Sequence, residues 1–320
     1  MAKILVTGCA GFIGSHLTEI LLDKGVEVVG IDNFDPFYDI NIKKKNLSVF
    51  ENNPNFTFIR ADLSKKAILN SLFPDDIYLV IHLAGKAGVR PSFDDPVGFI
   101  EANIVATQNL LEEMRTRNIN KLIFASSSSV YGNIKEIPFS EKMDVSNPIS
   151  PYAATKKACE LLTYTYFYNF KINVINLRFF TVFGPRQRPD LAIHKFVSQI
   201  KKGKPVTMYG EGNTARDYTY INDIIRGILG SIRYISKNEK VYEIINLGNN
   251  KPIFLKEMIN TVYRIMKKNP DIIKEPLQPG DVDITYADIT KARALLNYKP
   301  NYNFNEGIIN FINWYNQEYS

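Results

Sequence analysis

"KILVTGCAGFIGSHL", residues 3–17, decides the fold of this 320-residue chain. A short apolar run suited to a buried strand enters a turn with glycines at positions 8, 11 and 14, and the segment 12–24 continues as an amphipathic helix. Such a strand-to-helix turn must let backbone approach a ligand and then pack helix on strand, and a Cβ would obstruct each step. The free N–H groups that open the helix suit a phosphate charge. Asp32 closes the next expected strand, 24 residues after Gly8. A carboxylate there accepts hydrogen bonds from an adenosine ribose and repels a 2′-phosphate, although a strand-end turn residue is the plainer reading. Gly8, Gly11, Phe12, Ile13, Gly14 and Asp32 thus outline a dinucleotide site that favours NAD over NADP.

Further β-branched runs at 26–31, 56–60, 78–83, 121–126 and 173–178 alternate with helical candidates at 65–72, 97–117 and 152–169. Strands apolar on both faces, spaced by helices, predict a doubly wound parallel sheet, an α/β architecture of the Rossmann type, over residues 1–180. From residue 181 to 320 the pattern is broken by "FGPRQRPD", "YGEGN" and "LGNNKP", which predicts a smaller α+β substrate region capping the sheet. Residues 218–232 read as a helix that returns to the main sheet, rejoining it over about 218–248. "QPGD" precedes a short helical stretch and a polar tail.

Composition narrows the function. With 45% hydrophobic residues the chain affords a large core, and its net charge of +6 is scattered, the longest basic run being Lys43 to Lys45. No nucleic-acid motif accompanies it, so nucleic acid is not expected as a partner. Cys9 and Cys159 are isolated, and the three histidines lack ligand spacing; neither a disulfide nor a metal is expected. His82, His16 and His194 read as structural. The chain start fits no secretion signal and no apolar run is long enough for a bilayer, so the expectation is a cytoplasmic protein without membrane contact.

"SPYAATKKACE" places Tyr152 and Lys156 one helical turn apart, phenol and ammonium on one face. A neighbouring ammonium favours phenolate, as does the positive ring of a bound nicotinamide, so Tyr152 could act as a base near neutral pH. "FASSSSVYG", residues 124–132, ends an apolar strand in four serines. Together these features resemble the extended short-chain dehydrogenase/reductase family of nucleotide-sugar epimerases and dehydratases, over essentially the whole chain. In that family the catalytic hydroxyl stands four positions before the tyrosine of the "VYG" turn, which implies Ser127 with Tyr152 and Lys156 as the catalytic set. Ser126 then falls among cofactor contacts and Ser128 beside the substrate. The 4,6-dehydratases follow the catalytic hydroxyl with Asp and Glu; here Ser128 and Ser129 stand there, and neither supplies that proton chemistry at pH 7. Oxidation, reorientation and reduction at one carbon remain.

"LRFFTVFGPRQRPDLAIHKF" (177–196), "LAGKAGVRPSF" (83–93) and "YGEGNTARDYTY" (209–220) are most similar to the UDP-glucuronate 4-epimerase branch of that family. The long stretch "DNFDPFYDINIKKKNL" after the second strand, read as a loop, fits the same branch. The resemblance implies Thr181 and Arg188 at the sugar carboxylate, Arg216 at the diphosphate, and Arg90, Tyr209 and Asp281 among further substrate contacts. It adds Asn33, Leu63, Ala84, Lys86, Asn103 and Phe180 to the cofactor side. Asp62 reaches the adenine or caps the next helix; Asn103 binds a ribose or a strand carbonyl; Phe180 packs on the nicotinamide or in the core. Lys86 departs from the glucuronate pattern and leans towards a neutral hexose, so a UDP-glucose/galactose or N-acetylhexosamine 4-epimerase stays open. A UDP-glucuronate decarboxylase or a non-catalytic NAD-binding regulator is less favoured. Finally, the aromatics all round 161–170 exceed what one buried face needs. With 97–117 they imply, as in related enzymes, a homodimer through a four-helix bundle.

Overall fold

The computed structural model describes residues 3–276 and 283–319. Its strands, in chain order, are β1 (Lys3–Thr7), β2 (Val28–Asp32), β3 (Phe56–Arg60), β4 (Ile77–His82), β5 (Lys121–Ser127), β6 (Asn173–Phe179), β7 (Thr181–Phe183), β8 (Val206–Tyr209), β9 (Ala215–Tyr220) and β10 (Tyr242–Leu247). Seven of them form one parallel sheet in the order β10-β6-β5-β4-β1-β2-β3. Alternate residues face opposite sides, Leu5 into one apolar cluster and Ile4 and Val6 into the other. Both sides are covered, which is why the strands read as nearly unbroken apolar runs.

The helices are α1 (Phe12–Asp23), α2 (Ile40–Ser48), α3 (Lys66–Leu72), α4 (Pro91–Asp94), α5 (Pro96–Phe99), α6 (Ala106–Thr116), α7 (Pro151–Phe170), α8 (Ala192–Lys201) and α9 (Ile221–Lys237). After β1 the chain moves outward to β2 and β3, then crosses back to β4 on the other side. That reversal opens a crevice at the carboxyl ends of β1 and β4, where doubly wound sheets bind ligands. A second sheet is centred on β9, which pairs with β7, with β11 (Pro252–Phe254) and with β13 (Ile284–Thr285), while β8 pairs with β12 (Ile272–Glu275). Helices α10 (Leu255–Met266), α11 (Thr290–Leu296) and α12 (Phe304–Glu318) complete the chain.

Four expectations are corrected. Residues 218–220 are the end of strand β9, and the helix begins only at Ile221. The stretch 97–117 is not one α-helix: Asp95 accepts from the Gly98 N–H and caps α5, a π-helical turn occupies Ile100–Val105, and α6 follows. The stretch after β2 is not all loop, because Asp39 accepts from Asn41 N–H and starts α2. The polar tail is the helix α12, capped by Asn303, which buries Phe304, Ile308, Phe311, Ile312 and Tyr315 at helical spacing. Among the described residues no helix is long and apolar enough to cross a membrane.

Candidate active site

Glycine is required twice at the phosphate turn for stated steric reasons. Gly8 has φ +72°, and a Cβ there would lie 2.8 Å from the Ala84 nitrogen; a Cβ on Gly14 would lie 2.0 Å from the Gly8 carbonyl oxygen. Helix α1 therefore packs directly on the turn, its first N–H groups facing the crevice. Asp32 accepts from Phe34 N–H (2.8 Å) and Ala10 N–H (3.2 Å). Burial raises its carboxyl above the usual range, while the Lys43 ammonium and those two donors pull the other way. Lys43, from α2, is itself buried and donates to the Asp35 carbonyl at 2.9 Å.

Across the turn, Asn33 donates to Asp62 at 3.3 Å, and Ser64 donates to the same carboxylate through both N–H (2.9 Å) and hydroxyl (2.7 Å). Burial would raise Asp62, but the Ser64 and Asn33 donors outweigh it and hold the group below its ordinary value. Asp62 does not cap α3, which starts at Lys66 after Lys65. Its carboxylate closes a local turn instead.

At the other end of the crevice, Ser127 terminates β5 and its oxygen accepts from Ser129 N–H at 3.1 Å. Ser150 caps α7 by accepting from Ala153 N–H, with Pro151 at the first position, so Tyr152 and Lys156 sit on the buried face of the first two turns. The Ser127 hydroxyl donates to the Ser129 hydroxyl at 3.2 Å, and Ser127 and Tyr152 border the same cavity. Lys156 donates to the Ala125 carbonyl at 2.8 Å and lies 5.0 Å from the centre of the Phe124 ring.

Burial is the largest influence on Tyr152 and raises it, opposed by the Ser127 hydrogen bond and the Arg188 charge. Burial likewise lowers Lys156.

Arg188 lies in the loop between β7 and α8. Its guanidinium donates to Asp190 at 2.9 and 2.6 Å and to the Ala87 carbonyl at 2.8 Å, and stands 5.1 Å from the Phe37 ring centre. Arg216, on β9, donates to the carbonyls of Ala215 (2.9 Å) and Asp283 (3.3 Å). Arg90 stacks over Tyr209 at 4.8 Å. These groups and the phosphate turn line one cavity of about 1050 Å³, at the top of the ~300–1,000 Å³ range of single small-molecule sites. Gly8, Phe12, Ile13, Asp32, Asn33, Asp62, Leu63, Ala84, Lys86, Ser127, Ser128, Tyr152, Lys156, Phe180, Thr181 and Arg188 all border it. Asp281 lies outside the described residues.

Some expected contacts are engaged elsewhere. The Ser126 hydroxyl donates to Glu160 at 2.7 Å. Asn103, in the π turn, accepts from Lys86 N–H (2.9 Å) and donates to the Lys86 carbonyl (3.1 Å) and Thr155 hydroxyl (2.9 Å), so it shapes the β4 loop rather than reaching out. Lys86 pairs with Asp95 at 2.7 Å. Phe180 packs against Tyr131 and Phe139 while bordering the cavity.

Sequence reasoning missed three features. Tyr38 and Lys43 line the cavity from the stretch read as loop, and Asp190 pairs with Arg188. Behind β5, Arg178 makes a two-pronged buried pair with Glu160 (2.8 and 2.9 Å). The signal for that pair was available: Glu160 falls one turn after Lys156 on the buried face, and an arginine inside an apolar strand needs an anion.

The doubly wound sheet, the glycine turn and a Ser-Tyr-Lys set in one crevice define the extended short-chain dehydrogenase/reductase class. Within that class, the chain belongs to the NAD-dependent epimerase/dehydratase family, whose model described as GDP-mannose 4,6 dehydratase matches residues 5–311. It is 41% identical to a UDP-glucuronate 4-epimerase of Thermodesulfobacterium geofontis, over 98% of this chain and 96% of that protein. Among solved structures it resembles the UDP-glucuronic acid 4-epimerase of Bacillus cereus in complex with UDP-glucuronic acid and NAD. That likeness has a TM-score of 0.92 and 39% identity, and covers 99% of this chain and 100% of that one. A Thermotoga maritima UDP-glucose 4-epimerase with UDP-glucose is similar at TM-score 0.90 and 27% identity, covering 99% and 100%.

Proposed function

We propose that this chain is an NAD-dependent UDP-sugar 4-epimerase that interconverts UDP-glucuronate and UDP-galacturonate. One observation carries the reading: Arg188, a guanidinium able to meet a sugar carboxylate, borders the same cavity as Ser127, Tyr152, Lys156 and the glycine turn. The crystallised neighbour with UDP-glucuronic acid and NAD supports it. The residues also fit NAD: the turn from Gly8 to Gly14 borders the cavity where α1 opens, and Asp32 offers a buried acceptor at the strand end.

The β1–α1 turn and Asp32 would hold NAD, which when bound would supply the reversible hydride acceptor that epimerisation at C4 of the sugar requires, with no net redox change. The protein's residues supply the rest. Tyr152 takes the proton of the 4-hydroxyl and gives it back, Ser127 donates a hydrogen bond to the same oxygen, and Lys156 supports the ionised phenol from the next turn. Arg216 holds the diphosphate, and Thr181 and Arg188 hold the carboxylate. A 4-ketone is β to that carboxylate and loses CO₂ when the C–C bond aligns with the carbonyl π system, so fixing the carboxylate protects the intermediate. Ser128 and Ser129, where dehydratases carry acids, leave water elimination without a catalyst.

A neutral-hexose 4-epimerase is the second reading. The UDP-glucose 4-epimerase neighbour supports it, but Lys86 is held by Asp95. Residues 1–180 with about 218–248 would serve the cofactor and the remainder the nucleotide sugar. Leu161, Tyr164 and Tyr168 form a stripe on α7 at 57, 47 and 64% exposure, beside exposed Val97 and Ile100, which supports a homodimer through α7 and the α5–α6 segment. Free, buried Cys9 and Cys159 suit a reducing, cytoplasmic setting. Proton NMR of the purified protein with UDP-glucuronate tests the function: UDP-galacturonate is expected. Formation of a UDP-pentose, or turnover of neutral UDP-hexoses alone, would replace it.

A further inference from the structure

The arginine assigned above to the sugar carboxylate already carries a carboxylate of the protein's own. Asp190 takes the Nε–H of Arg188 at 2.9 Å through one oxygen and the Nη2–H at 2.6 Å through the other. Nη2 also donates to the Ala87 carbonyl on the β4 loop. The two-pronged edge of the guanidinium, the edge that grips carboxylates most strongly, is therefore taken. Of its nitrogens only Nη1 makes no hydrogen bond among the described residues. The Arg188 side chain is 15% exposed and that of Asp190 31%, so the pair sits at the wall of the cavity with the aspartate on its wetter side. Phe37 covers one face of the guanidinium, its ring centre 5.1 Å from Cζ.

Resting on the UDP-glucuronate reading, we propose that Asp190 is a specificity-determining residue that tempers the enzyme's grip on the sugar acid. It neutralises most of the Arg188 charge and reserves the forked edge, so a substrate carboxylate meets a single prong. The physical consequence is differential. A UDP-sugar with a carboxylate binds more weakly than an open arginine fork would allow, and a neutral UDP-hexose is unaffected. An epimerase gains from this, because substrate and product carry the same carboxylate and a full bidentate grip would slow release of both.

The test measures binding to the NAD-loaded enzyme by calorimetry, together with initial rates, for UDP-glucuronate and UDP-glucose. Asp190→Asn keeps the shape and removes the charge. It is expected to tighten UDP-glucuronate binding about tenfold, with KM falling and kcat unchanged or reduced, while the UDP-glucose dissociation constant moves less than about twofold. Asp190→Glu should restore values near those of the unaltered enzyme. In an Arg188→Ala background Asp190→Asn should do nothing. Weaker or unchanged UDP-glucuronate binding in Asp190→Asn would mean that Asp190 only props Arg188 in place, and the proposal falls while the function stands. An equal shift for both sugars overturns it as well. If the unaltered enzyme binds and converts only neutral UDP-hexoses, the reading of Arg188 fails first and the proposal with it.

Discussion

At the turn from β1 to α1, what a ligand would meet is mostly main chain: the amides opening α1, brought close because Gly8 and Gly14 leave no room for a Cβ. At β7 and the loop that follows it would meet side chains, Thr181 and Arg188, the latter aimed by contacts to Asp190, Ala87 and Phe37. A site made of backbone fails all at once when its geometry is disturbed. A site made of side chains can lose one prong and keep the rest, and its chemistry can be retuned residue by residue. The two meet in the cavity that Tyr152, on α7, also borders.

Tyr152→Phe gives the largest expected effect. Removing the proton acceptor should lower kcat by about 10²–10⁴-fold, with NAD content of the purified protein unchanged. Loss of bound NAD in that variant would place Tyr152 on the cofactor side of the comparison instead. Gly14→Ala comes next. A Cβ 2.0 Å from the Gly8 carbonyl has only backbone to push against, so the cost should reach about 3 kcal/mol or more. The melting temperature and the NAD content should fall together. A variant that keeps its cofactor would show that the turn is more yielding than its packing implies.

The same contrast explains what could be read without coordinates. Five of the six expected strands in the first 180 residues start and end within about one residue of those observed, because strands buried on both faces announce themselves as β-branched runs. The glycine turn is legible since only one residue type fits it. Tyr152 and Lys156 are legible because helical periodicity alone puts them on one face. The second region is different. Residues 218–220 belong to a strand paired with β7, a contact between segments more than thirty positions apart that no local pattern encodes. Asp190 has only its place two residues from Arg188 to suggest the pair, and nothing in the sequence says that both reach the cavity. The helix in the tail was legible and overlooked: Phe304, Ile308, Phe311 and Tyr315 repeat at helical spacing beneath a polar surface.

Arg188→Ala sharpens the comparison on its side-chain half. Loss of a charge-assisted contact should cost about 1.5–3 kcal/mol with UDP-glucuronate, or roughly 10–100-fold in kcat/KM, and little with UDP-glucose. The melting temperature should move far less than in Gly14→Ala. Equal losses with both sugars would point to the Arg188 charge acting on Tyr152 rather than on a carboxylate.

The smallest expected effect lies within the backbone-built half and concerns stability alone. His82, at the end of β4, is buried between two hydroxyls: Thr7 at 2.7 Å from Nδ1 and Thr107 at 3.0 Å from Nε2. Thr107 gives its own proton to the Asn103 carbonyl, so Nε2–H must donate and Nδ1 must accept from Thr7, which is the neutral ring. Burial, helped by the Lys156 charge, lowers the imidazole to about 3, and burial lowers His16 to about 4. A histidine depressed in the folded state binds fewer protons there than in the unfolded chain once pH drops below about 6.5. The stability is complete above that pH and lost progressively as pH falls towards the folded values. Between pH 7 and 5.5 each ring should cost on the order of 1 kcal/mol, a shift of a few degrees in melting temperature. His82→Gln, which can still offer an N–H to Thr107 and an acceptor to Thr7, should remove the His82 share of that slope and leave the shares of His16 and His194, which burial also lowers. A slope identical to that of the unaltered protein would mean that the ring can be charged in place, and that this part of the sheet end is wetter than its packing indicates.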